Sequence, residues 1–447
     1  MKAIPVPPAL RNVLLVVAVW FITNPPAYSA TILWTNTLGG NWNVPNNWSP
    51  NQVPGAADNA NINAAGTYAV TVNVNSSVNS LILGGAASGL QTLQANSFTL
   101  GATTASVNSG GVLALTNSAF TGALTIANAG LVSINSMTLI AQVTVQNGGK
   151  LLGSGSATIY NTASQTNSWL LIQNGGLLQV LGTFVTFGPL TNAGMINVTN
   201  AANLFAYNNG GTALAGGIIN QGSGVIDLWG NSSLLGTSYG YEYLINQGII
   251  NMMTGSSSSI DFNNLTNQAK LAAQHGTLQI HSTHLNFQSS ETLGVGIYSQ
   301  ADYGQLNLVN VVPLTGVLQV SLNGGFTPVP GDSFAVVTYP SLSGSFSSLN
   351  LPHPLPLAVW DPVYGATALT LLVQPPVATL SSGTNVVINV NGTNGQQAIL
   401  LTSTNLTMPL VNWTPLTTNT IGITGLLSVT NNIIPGVPKQ FFIFRLQ

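Results

Sequence analysis

The sequence has no cysteine and almost no charge, with six basic and eight acidic residues in 447 and a net charge of -2. The missing cysteine excludes a disulfide framework, a thiolate zinc knuckle and a thiol nucleophile. The scarcity of Lys and Arg excludes the basic surface that nucleic-acid binding requires. Charged residues make up 3% of the chain against about 25% in ordinary soluble proteins, yet hydrophobic residues remain at 45%. Disorder needs low hydrophobicity together with high net charge, so the chain is expected to fold. Asn, Ser, Thr, Gly and Gln stand where the charge would be. Asn, Ser, Thr and Gly disfavour helix interiors, whereas Val, Ile and Thr favour strands, so composition points to an all-β protein.

Long apolar runs are scarce too. The one near the start, residues 13–22, is too short to cross a bilayer comfortably. Lys2 and Arg11 precede or flank it, Pro25 and Pro26 end it, and Ala27-Tyr28-Ser29 puts small residues where a signal peptidase reads. Residues 1–29 are therefore expected to be a cleaved export signal, cut after Ser29 or Ala30. The mature chain is expected to have no transmembrane segment and to be secreted or held at a cell surface.

A repeat organises the longest part of the chain. Asn, any residue, then Gly occurs at Asn108, Asn128, Asn147, Asn174, Asn192, Asn220 and Asn246, with a degenerate copy at Asn267. Successive spacings are 20, 19, 27, 18, 28, 26 and 21 residues, a mean of about 23, and periods of 20–50 residues point to solenoids. Apolar residues come after each turn: Leu113 and Leu115, Leu131 and Ile134, Leu178 and Val180, Ile196 and Val198, Ile226 and Leu228, Ile250 and Met252. Asn and Gly suit left-handed corners, and stacked Asn side chains can hydrogen-bond from coil to coil. The expected fold is a right-handed parallel β-helix over 66–300. A Trp-rich N-terminal cap over 30–65 precedes it, and a C-terminal β cap region over 301–374 follows it. The linker Gln374-Pro375-Pro376 then leads into a small β-sandwich over 375–447.

Trp34, Trp42, Trp48, Pro54-Gly55 and Asp58, the Asn-x-Gly rungs such as residues 244–251, and the segment from Gly325-Phe326 to Phe346 carry a resemblance. Together they resemble secreted bacterial proteins with autotransporter-type β-strand repeats. The resemblance covers most of residues 31–372 and implies a surface-exposed or secreted β-helix, often adhesive. It brings over no catalytic residue. It departs at the C-terminal side, where about 70 residues follow the linker, too few for a membrane barrel, so self-secretion is not expected. Residues 401–406, Trp413-Thr414 and Phe441-Phe442 are similar to the carboxy-terminal β-modules of large secreted bacterial proteins.

Chemistry is thinly represented. Glycoside hydrolysis needs two carboxylates within about 5–9.5 Å. The repeat region offers Asp227, Glu242, Asp261 and Glu291, and its only bases of the Lys or Arg type are Lys150 and Lys270. Solvated or corner-capping roles account for all of them without chemistry. His275, His281, His284 and His353 show no metal-ligand spacing, and His281 and His284, three apart on a predicted strand, would point to opposite faces. No metal or cofactor is expected. Tyr239, Tyr241 and Tyr243 alternate, so a strand would put them on one face, close in sequence to Asp227, Trp229 and Glu242. Aromatic faces beside carboxylates suit sugar rings, which makes Trp229 and the three tyrosines the candidate ligand-binding residues. The tryptophans at 34, 42 and 48 are better explained as a hydrophobic plug of the first coil. The expected function is a non-catalytic structural or adhesive surface protein that contacts polysaccharide or cell envelope. The alternative is a polysaccharide lyase or glycoside hydrolase using Asp227, Glu242 or Asp261.

Overall fold

The computed structural model of the chain describes residues 29–447 except 86–87, 161–169, 208–215, 237–241, 353, 355–357, 376–384, 393–394, 423–424, 433–435 and 437–438. The export signal expected over 1–29 lies outside the described residues but for Ser29, and so does Pro376 of the linker. The described chain is nearly all strand, and stacked parallel strands form a β-solenoid of about 11 turns with small antiparallel sheets at the C-terminal side. Among the described residues no helix is long and apolar enough to cross a membrane.

One sheet receives a single strand from each coil. Its strands alternate buried and outward residues, as in Leu177–Val180, Met195–Val198, Val225–Leu228 and Ile249–Met252. Parallel register stacks identical positions, so one inward row runs without a break through Val70, Leu93, Leu113, Val132, Leu151, Leu178, Ile196, Ile226, Ile250, Leu271, Leu293 and Leu318, each fully buried. Burial of each such side chain is worth about 1.5–3 kcal/mol, and the parallel ladder supplies the backbone hydrogen bonds. In the strand Leu131–Asn135 the buried pair is Val132 and Ile134, so Leu131 faces outward where the sequence pattern placed it inward.

The opposite sheet changes character along the rod. Early coils cross it with one long strand, such as Ala119–Ile126 and Thr138–Val145. The latter pairs at its start with Ser156–Ile159 and at its end with Leu170–Ile172. From there to His284–Phe287 this side carries two ladders, and each coil has three strands instead of two. The extra corner lets a coil lengthen without disturbing either ladder, which is why the repeat spacing is irregular.

The Asn-x-Gly repeat resolves into two different positions. Asn128, Asn147 and Asn174 lie in exposed turns two residues past the inward residues Ile126, Val145 and Ile172. Asn192, Asn220, Asn246 and Asn267 occupy the inward row itself, in register with Ile172, and are fully buried. None of these asparagines is left-handed. In the exposed turns that conformation falls on the following residue, Ala129, Gly148 or Gly175, and among the described residues the left-handed asparagines are Asn117, Asn200 and Asn231 at the corners that leave the single-ladder sheet.

Parallel pairing begins at Thr31 and Gly40, inside the Trp-rich segment. Trp34, Trp42 and Trp48 fill the first coil, with ring centroids 5.0 Å apart for Trp34–Trp48 and 4.8 Å for Trp42–Trp48, and the Trp48 indole donates to the Trp42 carbonyl at 2.8 Å. At the far end, parallel pairing extends to Ser348–Asn350. The antiparallel set Ser333–Thr338, Ala368–Gln374 and Val359–Tyr364 then closes the rod around Phe334 and Trp360. The terminal module pairs Asn385–Asn391 with Leu426–Asn432, and Gln397–Ser403 with Thr414–Thr420 and Phe441–Leu446. Its core includes Ile388, Val390, Leu400 and Phe444, and Val359 of the closing set packs into it.

Candidate functional site

The residues singled out in the sequence do not converge on one site. Asp227 and Trp229 sit on the outer face of the single-ladder sheet, Asp227 within Val225–Leu228 and Trp229 directly after it. Asp227 accepts a hydrogen bond from Asn251 Nδ2 at 2.9 Å. Partial burial raises its carboxyl above the usual range, and the Asn251 bond works the other way. Tyr243 opens the strand Tyr243–Asn246 on the double-ladder side, and its ring lies against Gly217 of the preceding coil. A Cβ at Gly217 would meet three ring carbons at 2.6 Å, so this close approach requires glycine. Tyr239 and Tyr241 lie outside the described residues.

The carboxylates do not share one exposed face either. Asp261 ends the strand Ser257–Asp261 on the double-ladder side, half exposed, with Oδ1 3.0 Å from His281 Nδ1. Glu242 is fully buried just before Tyr243. Glu291 is fully buried too, and its Oε2 accepts from Asn267 Nδ2 at 2.8 Å. Asp227 is on a different sheet from Asp261, and Glu242 is turned inward between them in the chain.

The histidines are not arranged as the sequence implied. His281 ends one strand and His284 begins the next across a corner, so both are exposed. His353 lies outside the described residues. A second acid–histidine pair, His275 Nδ1 to Asp302 Oδ1 at 2.8 Å, has the His275 ring stacked on Tyr298 with centroids 4.0 Å apart. Both pairs join residues 20 to 27 positions apart, one coil on, and nothing in the local pattern marks them. Among the described residues no group of three or more His, Asp or Glu is placed to hold a metal.

Two ladders were visible only in part. The buried amides run Asn192 Nδ2 to Asn220 Oδ1 at 2.8 Å, Asn220 Nδ2 to Asn246 Oδ1 at 2.8 Å and Asn246 Nδ2 to Asn267 Oδ1 at 2.7 Å. On the outer corner of the double-ladder side, Tyr160, Phe187 and Tyr207 pack ring against ring in successive coils, edge-to-face at 5.0 Å and tilted at 4.5 Å between centroids. The first ladder is a stabilising device. The second is a partly exposed aromatic ridge that the sequence shows only once the coil register is known.

The fold defines the class, a capped β-solenoid with a small terminal β-module. Neither a protein-family model nor a curated protein matches the chain.

Proposed function

We propose that the protein is a non-catalytic, exported structural or adhesive protein whose rod contacts polysaccharide or cell envelope. The observation that carries this reading is that no two of the acids share an exposed face. Asp227 is engaged by Asn251, Asp261 faces His281, and Glu242 and Glu291 are buried. Double-displacement or inverting glycoside hydrolysis needs an acid and a second carboxylate facing one substrate across about 5–9.5 Å. The leader-like first segment and the autotransporter-type resemblance support export and surface display, and the neutral outer faces favour contact by hydrogen bonding and stacking over charge steering.

The test is incubation of the purified protein with plant, algal and bacterial polysaccharides, reading reducing ends and unsaturated products. No release is expected. Release that disappears in Asp227→Asn, Glu242→Gln or Asp261→Asn would replace this reading with an enzyme, and the Asp261–His281 pair would be the first place to look for its acid–base chemistry.

A further inference from the structure

The outer face of the single-ladder sheet carries an ordered pattern over four consecutive coils. Its first outward row is apolar: Leu177, Met195, Val225 and Ile249 are in register, with Met195 and Ile249 exposed at 40% and 37%. The second row, two residues along each strand, is polar: Gln179, Asn197, Asp227 and Asn251. The third begins with exposed Leu181, passes Thr199, and continues with partly exposed Trp229 and Met253, held in line by backbone bonds between successive coils. Strand geometry puts the outer rows about 13 Å apart and the coils about 4.8 Å apart.

The first row is bounded. One coil before Leu177 it holds Lys150, and one coil after Ile249 it holds Lys270. These are the only Lys or Arg residues between Arg11 and Lys439, and both fall in this row. Between them this row is uncharged over four coils.

We infer that this face is a binding site for an uncharged linear polysaccharide lying along the rod axis over the central polar row, an inference that rests on the glycan-contacting reading above. The amides of Gln179, Asn197 and Asn251 and the Asp227 carboxyl offer donors and acceptors to ring hydroxyls. The flanking apolar rows, Trp229 above all, offer the flat surface that covers sugar C–H faces. A protein partner or a second copy of the chain would favour the reverse layout, an apolar centre with a polar rim. A polyanionic chain would set its carboxylates against Asp227 and the amide oxygens, with no cation between the two lysines.

The test uses the purified protein in affinity electrophoresis through mixed-linkage β-glucan, xyloglucan and glucomannan, with polygalacturonate and alginate as anionic probes. Retardation by at least one neutral glucan is expected. Trp229→Ala and Asn197→Lys should each weaken it by about 10-fold or more, as loss of a stacking residue or insertion of a charge in the central row would do. Both side chains face solvent, so unchanged thermal melts will show that the variants fold. Retardation that survives both substitutions, or is lost only in Tyr243→Ala, refutes this face while leaving a glycan-contacting protein. Retardation by the anionic glycans alone refutes the ligand class. Self-association that Trp229→Ala abolishes, with no retardation, assigns the face to a second copy. No retardation in any polysaccharide and no self-association refutes the glycan-contacting reading itself.

Discussion

Replacing Glu291 with glutamine should remove a pH-dependent instability built into the end of the amide ladder. The side chain is fully buried, Oε2 accepts from Asn267 Nδ2 at 2.8 Å, and Oε1 has no hydrogen-bond partner among the described residues. Burial pushes its carboxyl from the ordinary 4.5 up to about 8, against a smaller opposing effect of the Asn267 bond. A folded-state value above the unfolded one means that the folded state holds a proton the unfolded state has released. The stability this group contributes is therefore full below pH 4.5, declines from there, and is lost as pH rises through about 8. At about 1.4 kcal/mol for each pH unit, the loss across that window is about 5 kcal/mol, of which about 3 kcal/mol has gone by pH 7. A glutamine side chain there is the neutral isostere, still able to accept from Asn267. The assay is chemical denaturation of wild type and Glu291→Gln at intervals from pH 4 to pH 9, taking the difference at each pH so that other groups, Asp227 included, cancel. The variant should gain on the wild type steadily through the window and hold a constant advantage above it. A difference that is flat with pH, or a variant that is less stable throughout, would refute a neutral buried acid at this position.

Other perturbations probe the same architecture. Asn220→Ala should cost about 2–5 kcal/mol in denaturant unfolding, because Asn192 Nδ2 and Asn246 Oδ1 each lose a 2.8 Å partner in a dry interior. Gly217→Ala should destabilise by about 1–3 kcal/mol by driving a methyl into the Tyr243 ring. Combined with Tyr243→Ala, it should cost less than the sum of the two single changes in a double-mutant cycle, and strict additivity would show that the ring is free to move aside.

The solenoid was legible because a parallel β-helix repeats one position every coil, so alternation such as Ile196 and Val198, then Ile226 and Leu228, maps directly onto buried rows. The Trp-rich plug was legible for the same reason, since a rod end has to bury what the next coil would have covered. Spacing alone could not separate an asparagine in a turn from one in the core. Asn174 and Asn192 both precede glycine by two residues, yet Asn174 is exposed and Asn192 is fully buried. The difference lies in where the inward row falls, at Ile172 in the one coil and at Asn192 itself in the next. The outer-face rows, the Tyr160–Phe187–Tyr207 ridge and the two Asp–His pairs were hidden for a related reason: their members are neighbours only after the irregular corner insertions have been subtracted.

The amide ladder also has a direction, which explains where it stops. Asn192, Asn220 and Asn246 each donate from Nδ2 to the Oδ1 of the next coil and add a second bond to a backbone carbonyl there. A chain of donors pointing one way can begin against apolar Ile172, because the first oxygen is met by the Gly194 N–H. It cannot end so simply, since the last Nδ2 needs an acceptor and the row continues with Phe287. Glu291 supplies it from the neighbouring row, at the position that earlier coils fill with Gly224, Gly248 and Ala269. The coil after it returns to glycine at Gly316, where a Cβ would lie 2.6 Å from the Glu291 side chain. A buried acid in a protein this poor in charge is thus the terminator of a polar core row, and its neutral form is the one that the fold accommodates.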